Sequence, residues 1–362
     1  MDLVTLLHGT AHHGSSDLHL SVGSPPMIRQ TGMLQPLTEE LLTAESCRDL
    51  VLSALTESQR SRLEETWELD FVLEIQDVGR FRANAHYSRG NLEATFRVIS
   101  KTIPSLIELG HRTTLERICQ KEDGLILVTG STGSGKTTTL ASMIQTLNNT
   151  RSGVIVTIED PVEYIYSNNL CLIKQREIGT DTHSFNAALR HVLRQDPDVI
   201  VISEMRDLET IQTAITAAET GHLVIATLHT IDAAKSIDRL VDVFPADQQN
   251  QIVTQLSNSL QAIVSQRLLP RIDIEGRVMA TETLVANNAI RACIRDRKSY
   301  MIPGLIQIGS HDGMNLLDDS LLDLYKQGII SREEALANAR DASRFPEPVV
   351  EEEPKKKKGF FN

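Results

Sequence analysis

The sequence predicts an α/β protein in two parts: a small α+β unit over residues 1–100, and a mostly parallel sheet with alternating helices over 123–344. Three observations predict it. First, residues 1–100 mix helical periodicity (Leu37 to Leu55) with short alternating stretches, Phe71-Val-Leu-Glu-Ile75 and Arg80-Phe-Arg-Ala-Asn-Ala-His-Tyr87, the pattern of a small α+β unit. Second, strands at 125–129, 154–159, 199–203 and 223–227 alternate with helices near 135–147, 183–195, 207–219 and 232–241, which reads as a parallel sheet covered on both faces. Third, Gly130-Ser-Thr-Gly-Ser-Gly-Lys-Thr137 lies between the apolar run Leu125 to Thr129 and the helical stretch Thr138 to Leu147. That is the strand, G-x-x-x-x-G-K-[ST], helix context of a phosphate-binding loop.

Taken in order, residues 101–122 read as a linker containing one helix. After residue 246 helices dominate, with 246–268, 287–297, 315–327 and 331–341 expected and a short strand from Val278 to Leu284, forming a helical extension. The segment 345–362 switches to Pro346, Pro348, Glu351-Glu-Glu353 and Lys355-Lys-Lys-Lys358. It cannot bury a core, so the expectation is a disordered tail, with a docking peptide as the alternative.

Composition excludes several classes. The 362 residues suffice for about two to three domains, and the four cysteines at 47, 119, 171 and 293 contain no C-x-x-C pair, so no zinc ribbon or disulfide framework is indicated. A net charge of −12 gives no global attraction to nucleic acid or anionic lipid. No apolar run reaches the ~18–20 residues that span a bilayer, and Met1-Asp-Leu-Val lacks the basic start of a signal peptide. The expectation is a cytoplasmic protein without membrane insertion.

The loop defines the chemistry. Gly130, Gly133 and Gly135 let successive amides face phosphate oxygens, and Lys136 brings a mobile positive charge to the β- and γ-phosphates. Thr137 offers a hydroxyl to a metal. The site residues expected to hold the triphosphate are Gly130, Ser131, Thr132, Gly133, Ser134, Gly135, Lys136, Thr137 and Thr138. The expected ligand is a nucleoside triphosphate with Mg²⁺, the ion held by Thr137 and a second carboxylate.

The run Asp198-Val-Ile-Val-Ile-Ser-Glu204 delivers an acid at the C-terminal end of a buried strand, where ligands bind in open α/β sheets. Glu204 is the leading second carboxylate. Val154-Ile-Val-Thr-Ile-Glu-Asp-Pro-Val-Glu163 ends in three carboxylates; Glu163 is either the general base for an attacking water or part of a solvated turn. His222 and His229 flank the strand from Leu223 to Leu228, as γ-phosphate sensors or as ordinary structural histidines. Alternation in the 80–87 strand places Arg80, Arg82, Asn84 and His86 on one face. Two arginines on an exposed face either complete a phosphate site or form an ordinary polar surface.

The ordered set of these motifs carries a resemblance. Ser16-Asp-Leu-His-Leu-Ser-Val-Gly23 with Pro25-Pro26, the arginines at 80 and 82, the glycine loop, Thr157 to Glu163, Glu204-Met-Arg-Asp-Leu-Glu-Thr210, and Ala218 to His222 through Thr227-Leu-His-Thr230 resemble the PilT/PilU branch of the secretion ATPase superfamily, the type IV pilus retraction ATPases. The resemblance runs from residue 1 to about 343. It implies a homohexamer whose subunits have a PAS-like N-terminal domain and a RecA-like P-loop ATPase domain, with ATP between them. It also implies that Glu163 and Glu204 serve hydrolysis, that His229 reads the γ-phosphate with His222 in the same box, and that Arg80 and Arg82 approach the nucleotide. The implied work is pilus retraction and twitching motility at the cytoplasmic face of the inner membrane. An inner-membrane pilus platform protein and a PilU-like ATPase are the implied partners.

Ala289-Ile-Arg-Ala-Cys-Ile-Arg295 is by period an amphipathic helix with Ile290, Cys293 and Ile294 buried; it also resembles a motif that the retraction family needs beyond ATP turnover. Departures from the family pattern are Ser131, Ser203 before Glu204, and Asp123 before Gly124. Ser203 leaves open a nucleotide-binding regulatory ring subunit with weak hydrolysis, and an accessory PilU-like role is the nearer alternative. Nucleic-acid translocation needs a basic, aromatic-lined channel, which 4% aromatic content does not favour.

Overall fold

Alternating apolar residues in the first part of the chain pair into an antiparallel sheet. The computed structural model describes residues 2–30, 32–99 and 102–346. Strands β1 (Asp17–Leu20), β2 (Met27–Gln30), β3 (Met33–Pro36), β4 (Glu68–Ile75), β5 (Gly79–Ser88) and β6 (Asn91–Ile99) follow the order β3-β2-β1-β6-β5-β4. Helices α1 (Leu3–His12), α2 (Ala44–Ser53) and α3 (Glu57–Thr66) supply further apolar residues, so that Leu6, Leu7, Val51, Leu63, Phe81 and Phe96 share one core. The helix expected from Leu37 instead begins at Ala44, because Thr43 accepts the Ser46 amide and Ser46 answers the Thr43 amide. That reciprocal cap fixes the first turn.

The second sheet is built from β7 (Gly124–Thr129), β8 (Gly153–Glu159), β9 (Cys171–Glu177), β10 (Val199–Ile202), β11 (Leu223–Leu228), β12 (Leu260–Pro270) and β13 (Arg277–Val285), in the order β13-β12-β7-β11-β10-β8-β9. All neighbours are parallel except β12 and β13. The central strands are apolar on both faces: Leu125, Leu127, Ile200 and Ile202 join one core, and Ile126, Val128, Val199 and Val201 join the other. Helix α4 (Thr113–Cys119) precedes β7, and α5 (Lys136–Thr150), α6 (Phe185–Val192), α7 (Leu208–Glu219), α8 (Ala233–Asp242) and α9 (Gln249–Ser259) connect strands of this sheet. The chain then adds α10 (Asn288–Arg295), α11 (Ile302–Ile308), α12 (Leu317–Lys326) and α13 (Arg332–Asn338).

Three expectations change. The helix expected over 246–268 stops at Ser259, and residues 260–270 become β12 beside β7. A short apolar run does not by itself distinguish strand from buried helix, and here the open edge of β7 decides. Strand β9 and helix α11 were not expected. The tail was expected to begin at Phe345, yet Phe345 is 1% exposed and packs with Leu269, Leu321 and Ile330. The expected disorder of 347–362 lies outside the described residues. All four cysteines are free and buried, and no helix among the described residues is long and apolar enough to cross a membrane.

Candidate active site

Strand β7 ends at Thr129, and the chain turns through Gly130 to Gly135 before α5 starts at Lys136. Glycine is required at both ends of this turn. Gly130 has φ +148°, and a Cβ there would stand 2.5 Å from the Gln266 carbonyl oxygen and 2.5 Å from Ser134 Oγ. Gly135 caps α5 at φ 89° with no side-chain bond, which leaves the first amides of the helix for an anion. Ser134 Oγ is buried without a hydrogen-bond partner. Ser131, Thr132, Gly133 and Thr137 are exposed. A cavity of about 520 Å³ opens against Gly130 to Ser134, lined also by Gln266, Arg277 and Asn338.

Lys136 Nζ donates to the carbonyls of Gly130 and Ser131 at 2.8 and 3.0 Å, lying across its own loop. Burial lowers its pKa, and nearby Glu204 acts in the opposite direction. Thr138 Oγ1 lies 3.4 Å from the Tyr164 hydroxyl, which ties α5 to the segment after Glu163.

Under the loop runs a buried polar chain that sequence reasoning missed. Gln266 of β12 donates from Nε2 to the Ser134 carbonyl at 2.8 Å and accepts the Thr139 hydroxyl at 3.1 Å. His111 Nε2 lies 3.1 Å from Thr139 Oγ1. The single Thr139 proton is committed to Gln266, so His111 must donate, which assigns it the neutral Nε2–H tautomer. Burial pushes the His111 pKa down to about 4, consistent with that form. The run read as helix concealed Gln266; a polar residue among the β-type residues Ile263, Val264 and Leu268 was its only signal.

Glu204 follows β10, and the turn is stitched to β11: Thr227 Oγ1 donates to the Ser203 carbonyl, and Met205 N donates to the Thr227 carbonyl at 3.1 Å. Arg206 Nε stands 2.7 Å from Glu204 Oε1 and Nη2 is 2.8 Å from Oε2. His229 Nε2 lies 2.8 Å from Glu204 Oε1. Burial pushes the Glu204 pKa upward, but Arg206, His229 and Lys136 together outweigh it and hold the carboxyl below its ordinary value. Glu204 is therefore an ionised acid beside Lys136.

The three carboxylates after β8 separate by environment. Glu159 is buried, accepts from Thr157 Oγ1 at 2.6 Å and Gln175 Nε2 at 3.1 Å, and has its pKa raised by burial. Asp160 is exposed. Glu163 Oε1 meets Arg82 Nη1 of β5 at 3.2 Å, so it is an ion-paired group between the two sheets rather than part of a solvated turn.

Arg80 does not share the exposed face expected for it. Its side chain is 17% exposed, its Nε is 3.9 Å from Glu74, and its Nε and Nη1 are buried without hydrogen bonds. Alternation placed the two arginines on one side correctly, but tertiary packing covers only the first. His222 also departs from expectation. The β11–β7 register puts Leu223 beside Gly124 and Leu228 beside Thr129, and the His222 carbonyl accepts the Gly124 amide at 3.1 Å. His222 is therefore at the strand end opposite Gly130, about 17 Å away along a strand of this length, with Nδ1 3.1 Å from the Ala217 carbonyl. The fold does not bring it to the phosphate loop of its own chain. Asp123 is at that same far end.

On α10, Ile290, Cys293 and Ile294 are buried as expected. Arg291 Nη1 donates to the carbonyls of Ser257 and Asn258 at 2.7 and 2.5 Å, closing the last turn of α9. Arg295 is exposed.

Comparison with known proteins gives the family of the chain. Residues 93–308 match the family described as Type II/IV secretion system protein. The chain is 46% identical to the "Type IV pilus retractation ATPase PilT" of Pseudomonas aeruginosa, over 96% of this chain and 99% of that protein. It is 39% identical to the "Type IV pilus ATPase PilU" of the same organism, over 95% and 90%. A solved structure of the pilus retraction motor PilT with bound ADP superposes with a TM-score of 0.89 at 44% identity, covering 95% of this chain and 98% of that one.

Proposed function

The chain belongs to the Type II/IV secretion system protein family, and on that premise we propose that it is the ATP-hydrolysing motor that drives type IV pilus retraction, acting as a homohexamer. The observation that carries the reading is the convergence of Lys136, Glu204 and His229 at the C-terminal ends of β7, β10 and β11, with Glu163 paired to Arg82 of the other sheet.

In this reading ATP phosphates lie on the amides of Gly130 to Thr138, and Lys136 leaves its two loop carbonyls for the β- and γ-phosphate oxygens. The exposed Thr137 hydroxyl and the ionised Glu204 would hold Mg²⁺; a sparse oxygen set suits an ion shared with phosphate oxygens and water. When bound, Mg²⁺ neutralises charge on the transferring phosphoryl group. Glu163 accepts the proton of the attacking water, while His229 registers the γ-phosphate and passes its position to Glu204 through their 2.8 Å ion-pair contact. Protonation of Glu163 weakens its attraction for Arg82, so chemistry at one sheet alters the contact with the other. That is the step by which hydrolysis becomes relative motion of the two units.

The platform for this work is an inner-membrane pilus protein, engaged from the cytoplasmic face, with a PilU-like ATPase as a second partner. Higher identity to PilT than to PilU favours the principal motor over the accessory one. A Lys136→Ala variant should lose ATP turnover and twitching together; motility persisting in that variant refutes the reading. Deleting the gene should give hyperpiliated, non-twitching cells, whereas bald cells would indicate assembly.

A further inference from the structure

The loop that carries His229 is held from outside the site. Strand β11 ends at Leu228 and α8 begins at Ala233, so His229 to Asp232 form the bridge between them. Asp232 caps α8 by accepting the Lys235 amide at 2.7 Å. Thr230 Oγ1 lies 2.6 Å from Ser236 Oγ. Glu282 of β13 accepts the Ala233 amide at 3.0 Å. Asp232 and Glu282 are 8% and 2% exposed, two buried carboxylates at neighbouring positions on one helix start.

The cation facing both is Arg340, two residues past α13. Its Nη2 is 3.2 Å from Asp232 Oδ2 and its Nη1 is 3.0 Å from Glu282 Oε2, both ion-pair contacts. The Arg340 backbone is itself fixed, because the buried Asp318 accepts the amides of Arg340 and Asp341 at 2.9 Å each. The burial of Phe345 anchors the segment further along.

We propose that Arg340 is a positioning residue for ATP hydrolysis: by neutralising Asp232 and Glu282 together, it holds the His229–Asp232 loop so that His229 stays on Glu204. Arg340 does not line the cavity at the phosphate loop and acts through the 229–232 segment. Two carboxylates facing each other in a low-dielectric interior repel strongly, and loss of the shared cation leaves that repulsion uncompensated. Burial, with Asp232 adding to it, already pushes the Glu282 pKa upward even with Arg340 present. The loop is the part able to relieve the strain by moving, and His229 moves with it. The catalytic half of this inference rests on the ATPase reading above; the structural half does not.

The test uses the full chain and two readouts. In R340M, kcat for ATP should fall by about 10–100-fold, as a small misplacement of a site group does, while affinity for a non-hydrolysable ATP analogue stays within about twofold. Amide hydrogen exchange over 229–236 should accelerate in parallel. E282Q keeps the acceptor for the Ala233 amide and removes one charge, so E282Q/R340M should recover most of the kcat and the exchange protection. R340K, with one point charge for two carboxylates, should give an intermediate kcat, and it serves if R340M does not fold. Wild-type kcat in R340M or R340K, analogue affinity falling in step with kcat, or no recovery in E282Q/R340M would each overturn the proposal. A wild-type chain without ATP turnover would sink the ATPase reading alone, since the exchange result still judges the bracket.

Discussion

His229 Nε2 stands 2.8 Å from Glu204 Oε1, joining the residue after β11 to the acid after β10 across two neighbouring parallel strands. The pair has a consequence for pH. Glu204 is held below the ordinary carboxylate value of 4.5, so the stability from its pairing is complete above that pH and is lost as pH falls through the depressed value. ATP turnover should share this acid limb. His229→Ala removes one source of the depression, so the limb of kcat against pH should move to higher pH; an unmoved limb would separate Glu204 from the titration.

Glu163→Gln keeps size and one acceptor oxygen but removes the base. Its kcat should fall by about 10²–10⁴-fold, the usual worth of a positioned general base, with ATP-analogue affinity nearly unchanged. Single-turnover hydrolysis separates this from a binding defect. A variant that binds weakly and hydrolyses normally would assign Glu163 to the Arg82 contact only.

Gln266→Ala leaves the Ser134 carbonyl and the Thr139 hydroxyl without their buried partner. The loss should appear in the phosphate loop as roughly 1–3 kcal/mol, about 5–150-fold weaker analogue binding. Titration with a fluorescent nucleotide measures it. Unaltered affinity would show that the loop keeps its shape without support from β12.

His111 gives a second pH effect of the opposite chemical type. Its pKa falls from 6.5 to about 4 through burial, so the unfolded chain takes up a proton before the folded one does. Stability is therefore full above pH 6.5 and declines as pH falls toward 4, by on the order of 3 kcal/mol. His111→Gln can still donate to Thr139 and does not titrate, so denaturation midpoints measured from pH 7 to 4.5 should lose that part of the slope.

Local motifs were legible. The glycine loop, the strand before it and the helix after it are contiguous, and the positive φ values at Gly130, Gly133 and Gly135 are properties that only those residues adopt freely. Alternation assigned the faces of β5 correctly, with Phe81, Ala83 and Ala85 buried. It could not say which arginine is covered, because that depends on what packs over the face. The histidines show the same limit. A strand separating His222 from His229 was readable, but the direction in which β11 runs beside β7 decides that only His229 reaches the phosphate end.

By itself, the sequence determined the chemistry the chain has available: a phosphate loop, a lysine, two acids and a histidine at the ends of buried strands. Tertiary structure alone decided which of these work together. Arg82 meets Glu163 across 81 positions and Gln266 meets Ser134 across 132, and Arg340 bridges Asp232 and Glu282 from beyond the last helix. The reason is physical. Backbone conformation and hydrophobic period are set by residues within a turn or two of each other, whereas an ion pair or a buried hydrogen bond depends on which surfaces the packed core brings face to face.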